Sequence, residues 1–395
     1  MDLKSPGRDT GAVRESLGAV PADAEVVVVG GGVVGLSVAF HLAEAGVRRV
    51  VVVERDLVGR GSSAKPVGGV RATFSDPGNI LLGQRSLEAF ERFGPGIGLR
   101  QVGYLFLCRS EEEVAEVERS TRLQRRLGGS GRMVSAAEAV GLNPYLNGDA
   151  LLAASFSPRD GHAEPALVVA TYRAMAEELG VVVCEGTEVV GIDLAGADIE
   201  AVQTDRGTVR TQRVVCAAGA WSARIGDMAG VPLPVEPVRR QIGITPPEAK
   251  PPTVPFTLDL STTLYFHNCG DGLLLGISNP EQEPGFGREY SAEWRPAFDK
   301  AAQVVAPSLV GRELASGWAG LYENTPDHNA LIGVSRQVHG FAYATGFSGH
   351  GFLQAPAVGE VVRDLYLGRE PFMDPSPFHA DRFAAAAPVR ERHII

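Results

Sequence analysis

The stretch Val26-Val27-Val28-Val29-Gly30-Gly31-Gly32-Val33-Val34-Gly35 constrains this chain more than any other. Four consecutive valines read as a buried strand, and the glycines after them as a tight turn into a helix. Val50–Val53 then reads as a second strand, ending at Glu54. Each part suits an adenine dinucleotide. Gly30 allows the turn, Gly32 lets the backbone approach a pyrophosphate, and Gly35 lets helix and strand pack closely. The helix start, at Val33 and Val34, points N–H groups and a positive dipole at the phosphates. Glu54, 24 positions beyond Gly30, is spaced to hold ribose hydroxyls. A G-x-G-x-x-G run alone also fits an ordinary glycine-rich turn, but here strand, helix, second strand and acid fall in register. The cradle by itself accepts NAD or FAD.

The rest of the chain narrows the class. Its 395 residues leave room for two domains, or for one large α/β domain with an insertion. Lys+Arg 37 against Asp+Glu 47 gives a net charge of -10, and without a long basic run nucleic acid is not an expected partner. The four cysteines are scattered with no C-x-x-C pair, and Cys184 and Cys216 fall in apolar strand-like runs. That pattern suits a reducing compartment. The longest mostly apolar run, Val26 to Phe40, is too short to span a bilayer and is broken by glycines. Met1 to Glu25 lacks the apolar core of a signal peptide, so a soluble, cytoplasmic protein is expected. No His/Cys/Asp/Glu spacing suggests a metal site.

Helical patterns are predicted over 34–45, 77–92, 111–127, 165–179 and 358–367, while Ile242 to Ile277 alternates like antiparallel strands. Two parallel-sheet units thus bracket an antiparallel insertion, which predicts an α/β (α+β) chain. A discontinuous Rossmann-like dinucleotide domain is expected from 25–100, 160–235 and 325–371, and an antiparallel-sheet substrate domain from 101–159 and 236–324. Residues 1–24 and 372–395 are expected to be tails.

Four separated blocks (Val26 to Glu54, Gly61 to Arg71, Ala217 to Gln241, and Gly317 to Gly359) resemble the D-amino-acid oxidase/sarcosine oxidase superfamily of FAD-dependent oxidoreductases. The pattern is that of the sarcosine oxidase β-like and dimethylglycine dehydrogenase-like branch. The most specific part is Gly317-Trp318-Ala319-Gly320-Leu321-Tyr322-Glu323-Asn324-Thr325-Pro326-Asp327, followed by Gly346-Phe347-Ser348-Gly349-His350-Gly351-Phe352. The resemblance implies FAD in the Gly30–Gly35 cradle. Glu54 would hold the ribose, Arg55 would lie near the adenine, and Ser62 and Ser63 would face the pyrophosphate or ribityl chain. Val189 would line the adenine; Ala218, Gly219 and Trp221 would close the site; and Gly346 with Gly349 to Leu353 would meet the flavin ring. It also implies oxidation of an amine or amino acid by hydride transfer to flavin N5, with Arg71 gripping a substrate carboxylate through paired charge-assisted bonds.

Departures from the family pattern bear on the chemistry. Leu274 stands where several oxidases carry a lysine above the flavin, which implies a dehydrogenase that is slow with oxygen unless His267 or Arg240 supplies the cation. Leu353 replaces a second, carboxylate-binding lysine and points to a larger or less acidic substrate. Gly320 and Lys65 occupy the places of covalent attachment, so FAD is expected to be non-covalent, and the electron acceptor need not be oxygen. Tyr265 and His267 share one face of a strand; there Tyr265 would shape the substrate cage and His267 accept a proton. The bland alternative is a structural tyrosine and an exposed histidine. His350 suits proton transfer or holding of its turn. A 2-hydroxy-acid dehydrogenase and a flavin-binding subunit of a larger complex remain alternatives, because fold does not fix function.

Overall fold

The computed structural model describes residues 19–385, 390 and 391. The valines of Val26–Val29 form an inner strand of a six-stranded sheet. Its order is Leu331–Val334, Phe341–Thr345, Val214–Cys216, Val26–Val29, Val50–Val53, Val182–Cys184. All neighbours are parallel apart from Leu331–Val334, which runs antiparallel to Phe341–Thr345. The valine run is buried on both faces because alternate side chains serve two cores. Val26 and Val28 pack against the helices Val33–Glu44, Pro77–Phe93, Pro165–Glu178 and Gly351–Tyr366. Val27 and Val29 pack against the helix Ser222–Met228 and a three-stranded antiparallel sheet formed by Val189–Ala195, Asp198–Thr204 and Gly207–Arg210.

A second sheet has eight strands in the order Ser316–Asn324, Glu236–Ile244, Gly272–Gly276, Tyr265–Cys269, Phe256–Asp259, Tyr104–Cys108, Ala153–Ser157, Arg132–Val134. It is antiparallel except where Phe256–Asp259 meets Tyr104–Cys108. Every strand falls within 101–159 or 236–324. One face, with Leu105, Leu107, Phe266, Leu273 and Leu275, is covered by the helices Ala136–Leu142 and Arg295–Val305. The other face carries Tyr104, Phe106, Phe256, Tyr265 and Leu274 and turns toward the first domain.

Two expectations are corrected. Of the N-terminal stretch, residues 1–18 lie outside the described residues, but Asp23 bridges to Arg210 and Ala24 N–H donates to Arg210 O. The stretch 372–385, 390 and 391 is no tail either. Met373 and Phe378 are buried, Arg382 forms a two-pronged ion pair with Asp327 at 2.8 and 2.9 Å, and Glu391 is buried against Ser75 N–H. Its polar residues look solvated in sequence because their partners are far away along the chain. The last helix also begins at Gly351 rather than Val358, running through Pro356. A proline that reads as a boundary is tolerated here, and the helix start therefore lies at the glycine turn itself.

Candidate active site

A cavity with two compartments runs between the sheets. The outer one, of about 400 Å³, is walled by Gly30, Gly32, Glu54, Arg55, Val189, Ala218, Gly219 and Trp221. The inner one, of about 120 Å³, is walled by Arg71, Tyr104, Arg240, Tyr265, Tyr322 and the turn Gly349–Leu353. Val34, Ser62, Ser63 and Glu323 line both and mark the waist.

The cradle forms because Gly30, at φ 113, turns the chain where a side chain would strike Ala217 O at 2.3 Å. Gly35 does not line the cavity. A Cβ there would lie 1.9 Å from Gly30 O, so its role is close packing of the helix on the turn. Val33 N–H, at the helix start, donates to Ser63 Oγ at 2.9 Å, which ties the serine loop to the cradle. Glu54 is fixed by Gly31 N–H and Asp56 N–H, each at 2.8 Å, and burial pushes its carboxyl above the usual range. Each oxygen retains a second lone pair for a ribose hydroxyl. Trp221 is sandwiched: the Arg55 guanidinium lies 4.3 Å over its ring and Phe286 stacks against it at 5.5 Å.

These residues fit an FAD. A wall bare of side chains at Gly30 and Gly32, opening on a helix start, suits the diphosphate. Glu54, Arg55, Val189 and Trp221 suit the adenosine, and the aromatic inner compartment at Gly349–Leu353 suits the flavin ring. The helix Gly351–Tyr366 starts at that wall with no side-chain cap, leaving its positive end toward the ring site.

Arg71 is the best-defined polar group of the inner compartment. It is 2% exposed, lies 4.2 Å over the Phe74 ring, and donates to Thr73 O. Its Nη2 lies 3.2 Å from His350 Nε2. A guanidinium only donates, so Nε2 accepts and the imidazole proton sits on Nδ1. His350 thereby steadies Arg71, and Phe74 packs edge-on to it at 5.0 Å. Tyr265 lines the same compartment and is buried.

His267 is a correction. It shares Tyr265's face but lies beyond the cavity edge, with Nδ1 2.7 Å from Asn268 O and Nε2 3.0 Å from Val67 O. It stacks on Phe256, and burial with the neighbouring His162 lowers its pKa to about 3. With both nitrogens held by carbonyls, it is a structural residue and no proton acceptor. Gly346 is a second correction. It is off the cavity wall, at φ 68, with Thr325 Cγ2 2.5 Å from where a Cβ would be. Its N–H donates to Glu323 at 3.2 Å, which makes it a turn residue. Leu274 packs behind the wall in the aromatic layer, so it neither supplies nor removes charge at the cavity. Leu353 does line it.

Tyr104, Tyr322 and Glu323 lie on the wall although sequence reading did not single them out. Tyr322 and Glu323 directly precede Asn324-Thr325-Pro326-Asp327, which was the available signal; Tyr104 reads like any core aromatic. Glu323 is buried, accepts from Thr345 Oγ1 at 2.9 Å and Gly346 N–H at 3.2 Å, and is pushed up to about 7 by burial. Among the described residues no cluster of ligating side chains could hold a metal, and no helix is long and apolar enough to cross a membrane.

Fold and cavity define the class: a two-domain oxidoreductase whose antiparallel sheet closes over the end of a dinucleotide cradle. The chain belongs to the DAO family of FAD-dependent oxidoreductases, whose model matches residues 25–365. Among curated proteins it is 32% identical to FAD-dependent oxidoreductase domain-containing protein 1 of Bos taurus, over 95% of this chain and 88% of that one. It is 29% identical to mitochondrial dimethylglycine dehydrogenase of Rattus norvegicus, over 89% of this chain but 44% of that longer protein. Among solved structures, L-proline dehydrogenase from P. horikoshii superposes with a TM-score of 0.88 at 32% identity, covering 92% of this chain and 99% of that one. The expected family, fold class and FAD dependence are therefore borne out.

Proposed function

We propose that this protein oxidises the carbon–nitrogen bond of a secondary or N-methyl amino acid. The observation that carries this reading is Arg71: a buried guanidinium, braced by Thr73 O and His350, facing the compartment that suits a flavin ring. A carboxylate on Arg71 fixes one end of a substrate through two parallel bonds, which orients the adjacent carbon and nitrogen. His350 acts as a positioning residue, since its Nε2 is committed to Arg71. Tyr104, Tyr265 and Tyr322 wall the compartment with ring surface and exclude water from the reacting bond. When bound, FAD supplies the two-electron acceptor for the hydride that leaves carbon. Loss of that hydride and of the nitrogen proton turns the amine into an imine, which water hydrolyses. The dimethylglycine and proline dehydrogenases among the relatives support both this substrate class and a slow reaction with oxygen.

The test is an anaerobic screen of N-methyl and cyclic amino acids for bleaching of the flavin, followed by an oxygen electrode. Bleaching with slow oxygen uptake is expected. Bleaching by 2-hydroxy acids and by no amine would overturn the reading.

A further inference from the structure

The inner compartment holds a second guanidinium that carboxylate binding at Arg71 leaves unused. Arg240 lies on the strand Glu236–Ile244, opposite Gly320, and lines the same wall. Its neighbour Arg239 points the other way and pairs with Glu293. Arg240 instead donates from Nη1 to Arg239 O at 3.2 Å, while its buried Nε has no hydrogen-bond partner. It makes no ion pair among the described residues. Withdrawing a guanidinium from water without a counter-charge is costly. The one acid on the inner wall, Glu323, already accepts from Thr345 and Gly346.

The two guanidiniums occupy different ends of the compartment. Arg71 lies among Phe74, Tyr104 and Phe106, with its Cζ 4.2, 6.0 and 5.6 Å from the ring centres. Arg240 lies over Tyr322 at 5.3 Å. Tyr265 neighbours Tyr104 on one side and Tyr322 with Arg240 on the other. The order along the wall is thus cation, tyrosines, cation. A ligand with one carboxylate satisfies one end and leaves the other unpaired.

We propose that Arg240 is a second anion anchor, and that the preferred substrate is an amine bearing two carboxylates. One carboxylate binds Arg71, the other binds Arg240, and the carbon–nitrogen bond lies between them against the tyrosines. The proposal rests on the amine-oxidising reading above and names its substrate class.

The experiment titrates the holoprotein anaerobically with two matched pairs, N-methylalanine against N-methylaspartate and N-methylglycine against iminodiacetate, following flavin absorbance. In at least one pair the dicarboxylate is expected to half-saturate at a concentration about 10- to 100-fold lower, the range of one charge-assisted pair. Arg240→Gln is expected to abolish that advantage and Arg240→Lys to restore part of it, with FAD content and Tm recorded for each. Should Arg240→Gln not fold, a reduced advantage in Arg240→Lys supports the proposal and an unchanged one opposes it. Monocarboxylates that match or exceed their dicarboxylate partners, or an advantage that survives in Arg240→Gln, would overturn it and leave the amine reading intact. Bleaching by none of the four would overturn the amine reading, and this proposal with it.

Discussion

Gly35→Ala tests whether the cradle works by close packing. The added methyl would lie 1.9 Å from Gly30 O, where ordinary contact begins at 3.4 Å. The first turn of the helix Val33–Glu44 must therefore retreat from the turn by about 1.5 Å, the difference between those distances. The obstacle is a backbone carbonyl, which cannot rotate aside as a side chain would. Overpacking of this kind costs about 1–3 kcal/mol, and the rigid obstacle places this case near the upper figure. At about 2–4 °C per kcal/mol, Tm is expected to fall by about 6–12 °C. The same retreat pulls the helix-start N–H groups away from the diphosphate, and about 3 kcal/mol of lost contact weakens FAD binding by about 100-fold. Gly141→Ala is the control. It lies in the helix Ala136–Leu142 with no atom within 4 Å of the new Cβ, and is expected to stabilise by about 0.5–1 kcal/mol. The assays are thermal melts followed by flavin fluorescence and FAD titration of the apoprotein. A Gly35→Ala variant that melts with the parent and retains FAD would refute the packing account of the cradle.

Four further outcomes are expected. Arg71→Gln raises the substrate concentration needed for half-maximal flavin reduction by about 10- to 100-fold, because one charge-assisted pair is lost; an unchanged titration would displace Arg71 from the carboxylate site. Glu323 has a folded-state pKa of about 7 against the model value 4.5, so its contribution to stability is complete below 4.5 and is lost as pH rises through 7. Glu323→Gln is therefore expected to gain on the parent between those values, by up to about 3 kcal/mol in urea melts, and a pH-independent difference would argue against burial of that carboxyl. His267→Gln is expected to lower Tm while leaving the pH profile of flavin reduction in place, since both ring nitrogens serve the fold; loss of a limb of that profile would return His267 to the chemistry. Acid precipitation is expected to leave a colourless pellet and a yellow supernatant, because Gly320 and Lys65 offer neither thiol nor imidazole to the flavin.

The dinucleotide half of the site was legible because its signals are local. Val26–Val29, the glycine turn, the helix and Glu54 lie within 29 residues and act mainly through backbone. The substrate half was legible only in fragments. Tyr265 and His267 share a strand face, but only packing against Val67 reveals that the cavity ends between them. Gly346 sits in the same glycine run as Gly349, yet a single turn separates wall from scaffold.

Residue order alone therefore determined the cradle, the two-part organisation and the identity of the cofactor class, since each follows from short-range pattern and backbone geometry. The tertiary structure decided which charges meet. Arg71 finds His350 279 positions away, and the C-terminal Glu391 finds Ser75 316 positions away. Arg240 and Arg239 are chemically identical neighbours in sequence, yet strand alternation sends one to Glu293 at the surface and the other to the cavity wall. No local signal distinguishes them, because the face that becomes interior is fixed only when the eight-stranded sheet closes over the first domain.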